Sequence, residues 1–477
     1  NRPWPLLTIG ALVFVIVLGF NLLGEGLRRR GMYGIRQRSV FSDWTTRAQL
    51  WVDENLWWPL GNYFSRRSVR LTSLGMVLVA VVIGVVIFQI QELGKIDDRQ
   101  IASAFPQKSL WGSARHDPYG TSWSPAAGPD LPEVKWMFFD ETGFTGGPAV
   151  SVDGSLYITS VGGSLYTIDP AGNLLWETEL AHNPVGTPGL NSGGKIFVSD
   201  QEGGLIKLNE RGEADWYYQA GTAAAATTGP VLDPQGNAYY VRDQQVQAVS
   251  AEGDALWLSQ PNNRPPPNEL VRLNSAGDLL FWGEVVLRTK DGSVISASLL
   301  PDANRFLTGA DGLDYLVEGH EVRSWDSSLA DPTISEPISW DHQKYSISKT
   351  SRDAGVTPDG KVWLFYTSFA RSWGLGEDTR IVWLDQDSKL TGSVFYEIRN
   401  SQVIGVDQKA RIFTCGNLDL GYGKPECQAF STDAEKPFWT LELEESSQVV
   451  GGALVPNRLY IATREGFLYA VGSGETG

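Results

Sequence analysis

Two long uncharged stretches of apolar residues lie near the start of the chain, one from Pro3 to Gly24 and the other from Leu71 to Gln91. Each supplies the ~20 residues that an α-helix needs to cross the hydrocarbon core of a bilayer. The alternative is a buried core helix, but a core helix of this length normally carries a polar stripe. The pattern therefore predicts two transmembrane helices, within residues 1–27 and at residues 71–91.

Beyond residue 108 the pattern changes to short strands of large apolar residues, each introduced by a turn. Eight copies of one such strand occur, with start-to-start spacings between 35 and 50 residues. The copies are residues 153–159, 193–199, 235–241, 276–282, 311–317, 359–365, 409–415 and 456–462. Most copies are followed by a second strand after a short gap, and the early ones then end near a tryptophan.

A repeat of this length with a turn about every ten residues predicts four-stranded units arranged as the blades of a β-propeller, because a lone four-stranded sheet cannot bury both faces. Eight copies predict eight blades, or seven if the irregular copy near residue 311 is not a blade. We expect residues 109–125 to supply the outer strand of the last blade and so close the ring. The fold class is thus all-β, preceded by two transmembrane helices.

Charge is distributed unevenly along the chain and sets the orientation of the two spans. Residues 1–70 carry ten Lys or Arg and four Asp or Glu, whereas the remainder carries 29 and 51. The basic loop at residues 28–70 is predicted to be cytoplasmic by the positive-inside rule. A linker at residues 92–108 and a propeller at residues 109–474 then lie outside the cytoplasm, in a multi-pass protein of the inner or plasma membrane. The acidic body argues against nucleic-acid binding.

The basic loop contains the sequence DWTTRAQLWVDENLWWPL, with tryptophans among polar residues at roughly helical spacing. This spacing predicts an amphipathic helix at the headgroup level of the lipid bilayer. A helix that docks on a protein partner is the alternative.

The search for chemistry in the propeller gives no catalytic, cofactor-binding or metal site. Cys415 and Cys427 are the only cysteines and lie on consecutive predicted strands, so we expect a disulfide, with two free buried thiols as the alternative. The four histidines show no metal-ligand spacing. We expect the tryptophans at blade spacing, Trp136, Trp176, Trp216 and Trp257, to dock neighbouring blades. Trp373 in a long insertion is the weak candidate for a ligand-binding loop.

The stretch DGSLYITSVGGSLYTIDPAGNLLW resembles the repeat of the pyrroloquinoline-quinone-type (PQQ-like) propellers. The resemblance covers roughly residues 109–473. It implies the fold, and it raises the possibility of a membrane-anchored quinoprotein oxidoreductase, since many such propellers bind the quinone near the channel with calcium. The adjacent cysteine pair of the alcohol dehydrogenases and a Cys-x-x-Cys-His haem motif are both absent from the sequence.

The first apolar stretch ends in a motif that resembles the last membrane helix of dipeptide/oligopeptide-type ABC transporter permeases. The matching residues are Asn21, Leu22, Leu23, Gly24, Glu25, Gly26, Leu27 and Arg28. The resemblance implies ABC ATPase subunits, a second permease subunit and a solute-binding protein as partners. Members of that family usually stop soon after the motif, whereas this chain continues. Because the chain begins with Asn1, we interpret it as the C-terminal portion of a longer permease.

The sequence therefore favours a fragment of an ABC-importer permease that bears an extracytoplasmic, non-enzymatic PQQ-like propeller for ligand or protein binding. The alternatives are the PQQ-dependent oxidoreductase and an envelope assembly scaffold.

Overall fold

The computed structural model describes residues 109–191, 193–221, 224–259, 265, 269–295, 305–318, 321–325, 338–339, 351–369, 377–384, 390–396, 399–417, 424–431, 436–443 and 448–472. All of them belong to one compact unit, Lys95–Gly477. The two predicted transmembrane helices, the basic loop and the linker fall outside these ranges. Within the described residues, no helix has the length and apolar character needed to span a membrane.

The described residues form eight antiparallel sheets that follow one another along the chain as the blades of a propeller. Blade 1 contains β1 (Ser109–Trp111), β3 (Ala149–Ser151), β4 (Leu156–Thr159), β5 (Ser164–Ile168) and β6 (Leu174–Glu179). Blade 2 contains β7 (Pro184–Leu190), β8 (Ile196–Asp200), β9 (Leu205–Leu208) and β10 (Ala214–Tyr218). Blade 3 contains β11 (Val231–Leu232), β12 (Ala238–Arg242), β13 (Gln245–Val249) and β14 (Ala255–Leu258). Blade 4 contains β15 (Val271–Leu273), β16 (Leu279–Trp282), β17 (Val285–Arg288) and β18 (Val294–Ile295).

The remaining blades continue in the same strand order. Blade 5 contains β19 (Arg305–Thr308), β20 (Asp314–Glu318), β21 (Glu321–Trp325) and β22 (Ile338–Ser339). Blade 6 contains β23 (Ser351–Val356), β24 (Val362–Phe369), β25 (Glu377–Leu384) and β26 (Leu390–Tyr396). Blade 7 contains β27 (Arg399–Val406), β28 (Ile412–Asn417), β29 (Pro425–Phe430) and β30 (Trp439–Glu442). Blade 8 contains β31 (Val449–Val455), β32 (Arg458–Thr463), β33 (Phe467–Gly472) and, as its outer strand, β2 (Val134–Phe139).

The predicted repeat is confirmed strand by strand. Each of the eight copies becomes the second of the four repeated strands of its blade, namely β4, β8, β12, β16, β20, β24, β28 and β32, with β1 an additional strand in blade 1. The irregular copy near residue 311 forms β20, so the eight-bladed prediction is correct and the seven-bladed one is wrong. These second strands are apolar because both of their faces are covered by neighbouring blades, as the complete burial of β4, β8, β12 and β16 shows.

Tryptophans on the outer strands connect successive blades, which confirms the docking role predicted for them. The indole N–H of Trp136 donates to Pro170 O (3.0 Å), and that of Trp176 donates to Glu210 O (3.2 Å). The next two blades repeat the contact from Trp216 to Ala251 O (3.1 Å) and from Trp257 to Thr289 O (2.8 Å). Each indole also lies over a glycine of the receiving turn, Gly172, Gly212, Gly253 or Gly292, where a Cβ would collide with the ring.

The ring is closed by β2 and not by residues 109–125, so that prediction is wrong. β2 pairs with β33, with Phe139 opposite Phe467 and Met137 opposite Tyr469. Exposed and half-buried side chains alternate along β2, as on an outer strand, except at the adjacent half-buried pair Lys135 and Trp136 beside a register shift. Residues 109–125 instead bury small and polar side chains such as Ser113 and Thr121, so they lack the alternation of an outer strand.

Candidate functional site

Residues 109–130, here called the central segment, run along the inner edges of the blades. The segment begins with β1, which pairs with β3 on the side away from the other strands of blade 1. Gly112 O then accepts a hydrogen bond from Leu190 N in blade 2 (2.9 Å), and Pro118 O accepts one from Leu273 N in blade 4 (2.9 Å). The first strand of each blade lines the axis of a propeller, so the central segment lies in the channel.

The segment then crosses to blades 7 and 8. Ser122 O accepts a hydrogen bond from Val406 N, and Val406 O accepts one from Ser124 N, each at 2.7 Å. Ala127 O accepts a hydrogen bond from Asn457 N at 2.9 Å. These backbone bonds fix the segment across the ring.

A buried carboxylate holds the middle of the segment in its turn. Asp117 accepts hydrogen bonds from the backbone N–H (3.2 Å) and the hydroxyl (2.6 Å) of Thr121, and lies 3.1 Å from His116 Nδ1. His116 has a φ of 77° and packs edge-on against Trp111, with ring centroids 5.0 Å apart. This histidine therefore has a hydrogen-bonding role within the segment.

A second charged group ties the end of the segment to blade 7. Arg411 Nε donates to Asp407 Oδ2 (2.7 Å), Arg411 Nη2 donates to Gly128 O (2.8 Å), and Nη1 pairs with Asp130. Asp407 has no exposed surface and also accepts from Gly128 N (3.0 Å). Every charge in this group has a partner, so its role is to anchor the segment.

Between the segment and blades 4 to 6 lies a cluster of five charged side chains. Arg115 of the segment donates through Nη1 to both oxygens of Asp353 on β23, at 2.7 and 2.8 Å. Arg305 on β19 lies 3.5 Å from Asp353 and 3.5 Å from Glu269. Burial alone would raise the pKa of the Asp353 carboxyl, but the charges of these arginines and of Arg272 hold it below its usual value.

Arg272 on β15 is the member of the cluster without a hydrogen bond. Its side chain is 3% exposed, and its nearest carboxylate oxygen, on Glu269, is 4.0 Å away. Neither Nη1 nor Nη2 has a hydrogen-bond partner among the described residues. Burial, Arg115 and Arg305 lower the pKa of the Arg272 guanidinium to about 9, since each disfavours its charged form.

The structure brings one pair of the predicted site residues together. Cys415 and Cys427 face each other in the register of β28 and β29, are fully buried, and form a disulfide with a Cα–Cα distance of 4.1 Å. Trp373 and the permease-like motif at residues 21–28 lie outside the described residues. Among the histidines, His182 stacks on Tyr217 with a centroid distance of 5.3 Å.

Sequence reasoning missed both the central segment and the charged cluster. One signal for the cluster was available. Arg272, Arg305 and Asp353 each occupy a first strand, whereas the first strands of blades 1, 2, 3 and 8 hold only apolar or small residues. A charge at that position predicts a partner in the channel, because an unpaired buried charge is costly.

The repeat and its eight-bladed geometry agree with known proteins. The sequence model of a family described as outer membrane protein assembly factor BamB matches residues 107–296, which span the first four blades. The domain is a β-propeller of PQQ-like, BamB-type repeats. No curated protein matches the chain by sequence.

Solved structures resemble the chain over a larger share of its length. BamB from Moraxella catarrhalis superposes with a TM-score of 0.52 at 11% identity, covering 72% of this chain and 100% of that one. A europium-containing methanol dehydrogenase superposes with a TM-score of 0.55 at 13% identity, covering 79% of this chain and 100% of that one. At these identities the likeness shows the fold alone.

Proposed function

We propose that the PQQ-like propeller is a non-enzymatic binding domain that docks a protein of the cell envelope. The observation that carries this proposal is the central segment. It lies in the channel, near which quinoproteins of this repeat type bind their cofactor, and it is held there by backbone hydrogen bonds to several blades. A quinone at the axis would compete with this segment for the same space.

The described residues also do not fit a quinone with its calcium ion. Such a site needs a group of carboxylate and amide oxygens around a hard cation. Within the part of the chain that the structure describes, no three His, Cys, Asp or Glu side chains come together as ligands. The two carboxylates of the charged cluster, Asp353 and Glu269, face arginines.

The outer edge of blades 8 and 1 provides a docking surface for a protein. On β2 the side chains of Val134, Met137 and Phe139 are 42%, 56% and 55% exposed, and on β6 those of Leu174 and Leu175 are 47% and 53% exposed. Both strands are the last of their sheets, so each leaves one edge of backbone N–H and C=O groups unpaired within the sheet. An extended apolar segment of a partner can add to such an edge.

The absence of a quinone site is tested by adding PQQ and calcium to the purified full chain. We expect no change in the absorption spectrum of PQQ and no PQQ-dependent reduction of an electron-acceptor dye. Saturable binding of PQQ together with turnover of an alcohol would overturn the proposal in favour of the oxidoreductase.

The docking surface is tested by site-specific photocrosslinking in cells. A photoreactive amino acid at Met137 or Leu175 is expected to give one discrete crosslinked envelope protein. The same residue at Glu252, an exposed position in blade 3, serves as the control and is expected to give none. Equal crosslinking from all three positions would contradict the proposal.

The permease-like motif supports a finer version of the same proposal. In this version the propeller is the extracytoplasmic domain of an ABC-importer permease in the inner or plasma membrane, and it binds the solute-binding protein. The motif at residues 21–28 follows an uncharged span and precedes a basic loop, as the end of a permease helix would. Sequencing the gene upstream of the Asn1 codon tests it: several further spans are expected, and a start codon directly before Asn1 would overturn it.

A further inference from the structure

Met137 lies in the middle of β2 and within the docking surface described above. Its side chain is 56% exposed, the highest value among the large apolar side chains that the structure describes. It is also the only methionine after residue 76 of the sequence. The single thioether of the propeller is therefore on its surface, at the place where a partner is proposed to bind.

The backbone of β2 directs its free hydrogen-bonding groups to the same place. Asp140 N donates to Gly466 O (2.9 Å), which extends the pairing of β2 with β33. Because the two polar groups of one peptide point in opposite directions, the carbonyl group of Phe139 points away from β33. The direction alternates along an antiparallel strand, so the N–H and C=O groups of Met137 also point outward. A strand added to this edge would pair with Met137 and Phe139.

The side chains around Met137 are aromatic. Met137 lies opposite Tyr469 in the register of β2 and β33. Phe139 lies opposite Phe467, with the two ring centroids 4.8 Å apart. A partner strand paired at this edge covers Met137 with apolar contacts, and the flexible, polarizable thioether adapts to the shape of such a partner.

An exposed thioether is open to oxidation by hydrogen peroxide. The sulfur lone pair attacks one peroxide oxygen and forms the S–O bond, while the O–O bond breaks and the other oxygen leaves as water with both protons. Sulfur loses two electrons and the peroxide gains them. The product, methionine sulfoxide, is polar, and a sulfoxide reductase returns it to the thioether. Oxidation thus replaces the apolar group in the middle of the edge by a polar one.

We propose that Met137 is a site of reversible oxidation by peroxide and that its sulfoxide releases the docked partner. This inference rests on the proposed docking function, since it assigns a regulator to the same surface. A sulfoxide oxygen covered by an apolar strand has no hydrogen-bond donor, which disfavours the complex. Loss of the burial of one methionine side chain corresponds to a fall in affinity of about 10- to 100-fold.

The modification is tested by treating the purified full chain with hydrogen peroxide and mapping its peptides by mass spectrometry. We expect one added oxygen on Met137, formed in the folded chain at nearly the rate found in denaturant, because folding leaves this side chain exposed. Purified methionine sulfoxide reductase is expected to remove the oxygen. A Met137 that resists peroxide in the folded chain would overturn the proposal, as would a sulfoxide that the reductase cannot reduce.

The effect on docking is tested in cells with the photoreactive amino acid at Leu175, which leaves Met137 unchanged. Peroxide is expected to lower the yield of the crosslinked envelope protein at least about tenfold. Met137→Leu has no thioether and should keep its crosslink after the treatment. Met137→Gln carries a polar amide in place of the thioether and should lack the crosslink without any treatment.

The outcomes separate this inference from the docking function. A crosslink that persists after Met137 has become the sulfoxide would overturn the inference and leave the docking function standing. An equal loss of the crosslink in Met137→Leu would also overturn it, because the oxidation would then act elsewhere. No crosslink from Leu175 in untreated cells would overturn both.

Discussion

Single residues in the innermost strands determine how the channel is filled. A buried carboxylate among several arginines is stabilised only while its partners remain, because each charge has given up its hydration. Asp353 is such a residue, since it is 8% exposed in its side chain and contacts both Arg115 and Arg305. The same residue couples the central segment to blades 5 and 6.

Replacing Asp353 by asparagine is expected to destabilise the propeller by about 3–5 kcal/mol, the usual cost of removing one partner from a buried ion pair. The loss arises because Arg115 and Arg305 then repel each other without an intervening charge. Denaturant unfolding at pH 7 measures it. Asp254→Asn is the control, because Asp254 is exposed in a turn and should cost less than about 0.5 kcal/mol. Equal losses in the two variants would contradict the role of the cluster.

The pH dependence of stability follows from the same carboxylate. Its pKa is held below the ordinary value in the folded state, so its ion pairs contribute fully above the unfolded pKa of about 3.9. The contribution is lost as the pH falls through the folded-state pKa. Unfolding free energies measured between pH 6 and pH 2 should therefore fall less steeply below pH 4 in Asp353→Asn than in the unmodified chain.

At the scale of the elements, the blades depend on one repeated contact between an outer-strand tryptophan and a glycine turn. Gly253 has a φ of 98°, and a Cβ there would lie 2.8 Å from Trp216. Gly277 also has a positive φ, 75°, but nothing lies within 4 Å of its Cβ position. The two glycines share the backbone requirement, and only Gly253 receives an indole ring.

Alanine at these two positions separates backbone strain from docking. Gly277→Ala is expected to cost about 1–2 kcal/mol, the penalty of a left-handed conformation for a residue with a Cβ. Gly253→Ala is expected to cost more, because it also displaces Trp216. Denaturant midpoints of both variants measure the difference. If the two variants lose the same stability, the tryptophan contact does not hold the blades together.

The disulfide between β28 and β29 is a second element-scale prediction. Because Cys415 and Cys427 are both fully buried, we expect neither to be alkylated in the native chain, and both to react once the chain is unfolded and reduced. Mass spectrometry of the alkylated chain shows how many cysteines have reacted in each state. Replacing both cysteines by alanine should cost about 2–4 kcal/mol. Two thiols that react in the native chain without reductant would contradict the bond.

The sequence predicts the repeated strands well and the parts that depart from the repeat poorly. Strands such as β12 and β32 are found because burial on both faces selects continuous apolar residues. The closing strand β2 was missed, although Trp136 precedes Trp176 by the same 40 residues that separate Trp176 from Trp216. The central segment could not be predicted, because its residues are chosen by contacts with six different blades and not by any local period.

At the scale of the whole molecule, residues from the two ends of the propeller meet in blade 8. β2 covers the edge of β33, which would otherwise present unpaired backbone groups. The central segment that precedes β2 contacts blade 8 through Ala127. The first 31 described residues, 109–139, therefore supply both the strand that closes the ring and the residues that fill its centre.

A chain that starts at residue 140 is expected to lose cooperative unfolding and to self-associate through the open edge of β33. A chain that starts at residue 109 is the matched control and should remain a monomer with one unfolding transition. Light scattering coupled to size exclusion and denaturant unfolding measure the two properties. Adding a peptide of residues 109–139 should restore the shorter chain, and a shorter chain that is already monomeric and cooperative would contradict the closure by β2.

The pairing of β2 with β33 also sets a minimum time between the synthesis of β2 and the closure of the ring. Phe139 and Phe467 are neighbours in the finished ring, yet a ribosome that adds about 5–20 residues per second needs roughly 15 to 65 seconds to travel from one to the other. Throughout that interval the apolar strand VKWMFF has no partner of its own. A nascent chain with this architecture therefore depends on protection against premature association until β33 has been synthesised and has paired with β2.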